Sequence, residues 1–261
     1  MSIACQNENI VGGIIMPSKS IEQFNVSDKE IRNYFSEKYA DHIPKNLNSL
    51  FEIAMSNKNL FPNMNLTDKA THEDFIDRWV RGYLEAENNP ARNRNASPKG
   101  SCNDPAVKAI VQMVTHASDD EVSIQESYHN LFMSAENIQG ALLEEYIDSV
   151  ISEYGWIWCK GNTLHAIDFC TSDGKRLLQI KNKSNSENSS SNNIRAGTSI
   201  KKWYRLGTKT KDGKKIPNYK WEVLNEIIYI TSGKPCNLSE SGYIKYIGHV
   251  ATNNSSLITD Q

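Results

Sequence analysis

Ala166-Ile167-Asp168-Phe169-Cys170-Thr171-Ser172-Asp173-Gly174-Lys175-Arg176-Leu177-Leu178-Gln179-Ile180-Lys181 is the stretch that decides how this chain is read. Residues 164–170 and 176–182 are rich in branched and aromatic side chains, and Thr171-Ser172-Asp173-Gly174 between them has turn composition. The segment predicts a β-hairpin. Side chains alternate along a strand, so Gln179 and Lys181 share one face while Leu178 and Ile180 share the other. Asp168 stands on the partner strand, with Ile167 and Phe169 facing away from it. One edge of an apolar hairpin thus gathers a carboxylate, an amide oxygen and an ammonium.

Upstream, the periodicity is helical. Ser27-x-x-Glu30 is a capping box that opens a helix through Tyr39, and residues 46–57 predict a second. Thr71 caps a stronger one, with Phe75, Ile76, Trp79, Val80, Tyr83 and Leu84 at helical spacing. Residues 88–103 read as a loop. Asp104-Pro105 is a cap followed by a proline at the first helical position, before residues 107–116. Further helical patterns cover 119–132 and 134–154. In the last of these, Leu142, Leu143, Tyr146, Ile147, Val150 and Ile151 form the apolar stripe, and Glu144 borders it more closely than Glu145.

Downstream of Tyr154 the period changes. Residues 156–159 predict a strand before the hairpin, and 225–231 and 242–249 predict strands after it. Residues 183–199 are a polar Asn/Ser-rich loop, and 200–206 read as a short helix. The order predicts an α/β fold: a mixed central sheet flanked by helices, with a mainly helical part over 1–133 and a core over 134–261.

The chain has 261 residues, 38% hydrophobic and 23% charged, enough for a large globular core. Its net charge of −2 hides a strong asymmetry. Residues 175–220 hold thirteen of the 29 Lys and Arg but only Glu187 and Asp212 of the 31 acids, a net +11 against −13 elsewhere. That segment suits a polyanionic partner. No apolar run approaches the roughly 20 residues of a membrane span, and the N-terminus has no basic region ahead of its apolar patch. Five cysteines without a CxxC pair predict reduced thiols in a cytoplasmic protein. The six histidines form no zinc pattern.

The hairpin residues suit phosphodiester hydrolysis. Mg²⁺ prefers hard oxygen ligands and keeps several waters. Asp168 would anchor the metal, Gln179 would add a neutral oxygen, and Lys181 would orient or deprotonate the attacking water, or neutralise charge on the pentavalent phosphorane-like state. Glu144 would approach from the long helix.

A helix bearing a glutamate, an Asp strand and a strand ending in Gln179-x-Lys181 resembles the core of the PD-(D/E)xK nucleases over about residues 138–183. The chain departs from that pattern at Ile167, where the family has proline, and at Gln179, where it has an acid. Residues 179–198 together with Ile200-Lys201-Lys202-Trp203-Tyr204-Arg205 resemble the SinI-type restriction endonucleases. The resemblance implies a restriction-endonuclease-like fold and Mg²⁺-dependent double-strand cleavage of DNA at GG(A/T)CC. It implies DNA recognition within 183–220. Asn185, Asn188, Asn192, Asn193 and Arg195 would face bases, Lys201, Lys202 and Arg205 would face phosphates, and Lys183 would also contact the DNA. A near-palindromic site implies a homodimer, for which the Thr71–Glu87 helix offers an apolar surface. The alternatives are a structure-specific nuclease of resolvase or repair type and a non-catalytic DNA-binding protein.

Overall fold

The reciprocal cap expected at Ser27 and Glu30 is closed in the computed structural model. The Ser27 backbone N–H donates to the Glu30 carboxylate at 2.9 Å, and the Glu30 N–H donates to Ser27 Oγ at 3.3 Å. The structure describes residues 10–11, 14–39, 42–98, 104–183 and 200–260. The chain forms two compact units: residues 1–88, 155–179 and 197–201 make the first, and 89–154, 180–196 and 202–261 the second.

In the first unit, α1 (Asp28–Tyr39), α2 (Lys45–Ser56) and α3 (His72–Asn88) enclose an aromatic core. Phe35 stacks on Phe51 with ring centroids 3.7 Å apart, and Trp79 meets both edge-on or tilted. Asp77 of α3 accepts bonds from Tyr34 and Tyr39 at 2.6 Å and pairs with Lys38, which fastens α3 to α1. The core continues into Ile157, Leu164, Ile167, Cys170 and Leu177. These belong to β1 (Trp156–Trp158), the turn that follows, β2 (Phe169–Thr171) and the start of β3 (Leu177–Lys183).

The second unit holds α4 (Pro105–Thr115), α5 (Asp119–Ile151), most of β4 (Ile200–Lys211), β5 (Lys214–Tyr219), α6 (Trp221–Ser232) and α7 (Glu240–Asn253). Tyr146, Trp221 and Tyr243 cluster at its centre, and Trp203 packs on Trp221 at 5.1 Å. The sheet order is β1-β2-β3-β4-β5, with β1–β2, β2–β3 and β4–β5 antiparallel. The fold is mixed α/β, with a five-stranded sheet and seven α-helices among the described residues.

Several sequence expectations shift. The helical patterns at 119–132 and 134–154 are one 33-residue helix. Residues 200–206 are strand: Trp203 and Arg205, two apart, are buried, while Lys202, Tyr204 and Leu206 on the other face are only half-buried. Residues 225–231 and 242–249 are helices. Trp221, Leu224, Ile227 and Ile228 recur at helical spacing, and that packing overrides the β-propensity of the Ile/Tyr/Thr run. In α7 the buried pair Tyr243 and Val250 is seven apart, behind a Ser239 cap. Of residues 164–170, only 169–170 are in a strand. Residues 164–167 form a turn in which Ala166 adopts φ +60° and His165 is exposed. Cys159, Cys170 and Cys236 are buried and form no disulfide among the described residues. No helix among the described residues is long and apolar enough to cross a membrane.

Candidate active site

The backbone of Asp168 is clamped on both sides. Its N–H donates to the Leu178 carbonyl at 2.9 Å, and its carbonyl accepts from the Cys159 N–H at 2.9 Å. Ile167 and Phe169 are fully buried, while Asp168 between them is partly exposed. The hairpin register pairs Phe169 with Leu178 and Cys170 with Leu177. In its turn, Asp173 accepts from the Thr171 hydroxyl at 2.6 Å and from the Lys175 N–H at 3.1 Å. Those bonds, the Thr171 hydroxyl foremost, hold the Asp173 carboxyl below the usual carboxylate range.

α3 fixes the approach to Asp168. Trp79 Nε1 donates to the Thr163 carbonyl at 2.8 Å, and Lys160 pairs with Glu87 at 2.5 Å while lying over the Trp158 ring. Between these two ties, Gly161 touches the α3 backbone: a Cβ there would stand 2.1 Å from the Gly82 carbonyl oxygen. Its φ of +66° also favours glycine. The Gly161–Gly82 contact was not legible in sequence; only the Lys-Gly-Asn turn composition hints at it.

Gln179 is the unusual residue. It is only 5% exposed, so both faces of β3 are covered at this point, and its Oε1 is buried with no hydrogen-bond partner. Such orphaned acceptors are uncommon in folded proteins and costly without a ligand. The Trp156 indole N–H and the Thr163 hydroxyl are the other buried polar atoms in this condition among the described residues. A hard, neutral oxygen beside an aspartate strand fits a magnesium ligand. No group of three or more His, Cys, Asp or Glu able to hold a metal occurs among the described residues.

The boundary between the units falls within β3, after Gln179, so Lys181 and Glu144 belong to the second unit. Lys181, two residues beyond Gln179 on the same strand, is half-buried. Its neighbour Asn182 donates to Gln139 Oε1 at 2.5 Å and accepts from Arg205 Nε at 2.8 Å. Glu144 is partly buried on α5. Glu145 is buried and bonded: it accepts from the Ala91 and Arg92 N–H groups and from the Tyr246 hydroxyl. Burial, and then Glu145, push the Tyr246 phenol well above its ordinary value. Glu145 is therefore a structural residue.

Of the candidate DNA contacts, Lys183 and Lys201 are exposed and Lys202 is half-buried. Asn185, Asn188, Asn192, Asn193 and Arg195 lie outside the described residues. Arg205 does not reach out to solvent. Its guanidinium pairs with Glu240 at 2.5 Å, with its side chain 6% exposed, and lies over the rings of Tyr219 and Tyr243. The expected phosphate contact at Arg205 gives way to a structural one, for which its two-residue spacing from Trp203 was the available sequence signal. Trp203 is likewise a core anchor, donating from Nε1 to the Lys220 carbonyl at 2.8 Å. Nor does the Thr71–Glu87 helix offer a free apolar face, since Phe75, Trp79 and Tyr83 are buried in the first unit.

The family model described as SinI restriction endonuclease matches residues 66–252. The type II restriction enzyme Eco47I of Escherichia coli is 33% identical over 176 residues, covering 63% of this chain and 75% of that enzyme. The type II restriction enzyme SinI of Salmonella infantis is 33% identical over 172 residues, with the same coverage of each. This chain belongs to the SinI restriction endonuclease family and is a site-specific restriction endonuclease.

Proposed function

We propose that this protein makes double-strand breaks at GG(A/T)CC by Mg²⁺-dependent phosphodiester hydrolysis in the cytoplasm, with a PD-(D/E)xK-type set of Asp168, Gln179, Lys181 and Glu144. The observation that carries the metal part of this reading is the buried, unpartnered Oε1 of Gln179. Asp168 and Gln179 would hold the ion. The bound metal would lower the pKa of a coordinated water and offset negative charge on the scissile phosphate.

The remaining work falls to the protein. The Asp168 carboxylate would supply the anionic oxygen that holds the ion. The neutral amide at Gln179 removes one negative charge from the pattern that carries two acids, which reduces repulsion of the incoming phosphate. The Lys181 ammonium donates to the attacking water and stabilises charge as the oxygen–phosphorus bond forms and the ester P–O bond breaks. Glu144 joins the set on the family resemblance alone. Lys183, Lys201 and Lys202 would hold phosphates, while Asn185, Asn188, Asn192, Asn193 and Arg195 would read bases.

One candidate site per chain and two strands to cut favour a homodimer. The apolar surface available for a second copy is on α4 and the first half of α5. No residue of α4 is buried. Val107, Ile110 and Met113 on α4, and Ile124, Tyr128 and Phe132 on α5, are all more than half exposed.

Incubating plasmid DNA with the protein and Mg²⁺, then sequencing the ends, tests the reading. Discrete fragments with both ends inside GG(A/T)CC are expected. Preference for branched substrates, or binding with no cleavage under any divalent metal, would overturn it.

A further inference from the structure

The β4–β5 pair runs beyond its packed base as a two-stranded ribbon. Its register continues from Leu206 opposite Tyr219 to Lys211 opposite Lys214, across an Asp212-Gly213 turn with φ of +50° and +72°. Positive φ at both central residues is the signature of a tight two-residue hairpin turn. The base is held firmly. Arg205 is tied to Glu240 and Asn182, Trp203 donates to the Lys220 carbonyl, and the Lys220 N–H donates to the Arg205 carbonyl at 2.9 Å. From Thr208 to Lys215 every described side chain is exposed.

Directly opposed residues of an antiparallel pair share a face, and alternate residues along one strand share it too. Lys211 faces Lys214, and Lys209 faces Ile216, so Lys209, Lys211 and Lys214 stand on one side. Like charges directly opposed are destabilising. None of these three lysines forms an ion pair among the described residues. Three cations thus stand on one exposed face without an ion-pair partner among the described residues. A polyanion laid along that face would remove the repulsion, and a two-stranded ribbon has the width to enter the major groove of duplex DNA.

We infer that the β4–β5 ribbon is a duplex-DNA contact in which Lys209, Lys211 and Lys214 neutralise backbone phosphates. This rests on the proposed DNA-cleaving function. The contact is independent of sequence: it contributes affinity and its salt dependence.

The test is equilibrium binding to a short duplex, by fluorescence anisotropy in EDTA so that no cleavage occurs, across a KCl series. Each neutralised phosphate contributes about 0.9 to the slope of log K against log salt. The variant with Lys209→Gln, Lys211→Gln and Lys214→Gln should lower that slope by nearly three. Wild type should then lose about 40-fold more affinity than the variant between roughly 50 and 200 mM salt. The reduction should be equal for cognate and random duplexes. Lys211→Gln alone should lower the slope by about one, which keeps the test available if the triple variant folds poorly. A wild-type slope retained by both variants would overturn the ribbon contact alone. Absence of salt-dependent duplex binding by the wild type would overturn the nuclease reading and the ribbon with it.

Discussion

The β2–β3 hairpin and the β4–β5 ribbon are both antiparallel pairs closed by a turn containing Asp-Gly, and they are built for opposite purposes. In the first, Cys170, Leu177 and Leu178 are buried, and Gln179 is enclosed with an unpartnered oxygen. In the second, the side chains from Thr208 to Lys215 are exposed and three lysines share a face. Enclosure strengthens electrostatic interactions and fixes their geometry, as catalysis requires. Exposure leaves cations hydrated and screened, which suits diffuse attraction to a phosphate backbone. On the proposed reading, the hairpin supplies the chemistry and the ribbon supplies affinity.

If that division holds, substitutions in the hairpin should act on rate and those in the ribbon on affinity. The largest effect expected after loss of Asp168 is that of Lys181→Ala, which should lower single-turnover cleavage by orders of magnitude while duplex affinity stays within a few-fold. Equal losses in both quantities would blur the comparison. Next comes the support of the hairpin. Trp79→Ala removes a buried aromatic and its bond to the Thr163 carbonyl, and should destabilise the protein by about 3–5 kcal/mol in denaturant unfolding. The ribbon Lys→Gln variants should leave unfolding unchanged.

Met113→Asp and Phe132→Asp place charges on the exposed apolar helices. They should shift sedimentation toward monomer and convert double-strand cleavage into nicking, with little change in intrinsic stability. A dimer that persists in both variants would move the interface elsewhere. The smallest effect concerns pH. Burial raises the Asp77 carboxyl, but its bonds from Lys38, Tyr34 and Tyr39 outweigh that and hold it below its ordinary value. A depressed folded-state pKa stabilises above the unfolded value near about 4 and is lost as pH falls through the folded one. Asp77→Asn should therefore flatten the acid limb of the thermal-stability profile. An unchanged limb would mean that Asp77 contributes nothing there.

The hairpin was legible because alternation, turn composition and the Asp-to-Gln-x-Lys spacing are local signals. The α1–α3 helices were legible through their caps and apolar spacing. What misled lay in tertiary packing. α6 carries an Ile-Ile-Tyr-Ile-Thr run that reads as strand, and only the burial of Trp221 and Leu224 ahead of it reveals the helical face. Arg205 looked like a phosphate ligand because a charge says nothing of its partner; Glu240, 35 residues on, decides its role. α3 and α4 both carry apolar stripes, yet one is core and the other is open, which periodicity alone does not distinguish.

The central claim is that Asp168 performs chemistry and does not simply bind DNA. The direct measurement is Asp168→Ala against wild type in one preparation, with duplex affinity read in EDTA and single-turnover cleavage of a GG(A/T)CC duplex read after adding Mg²⁺. The account predicts wild-type folding and near-wild-type affinity, with cleavage reduced by orders of magnitude. Cleavage by a folded Asp168→Ala protein at close to the wild-type rate would contradict it.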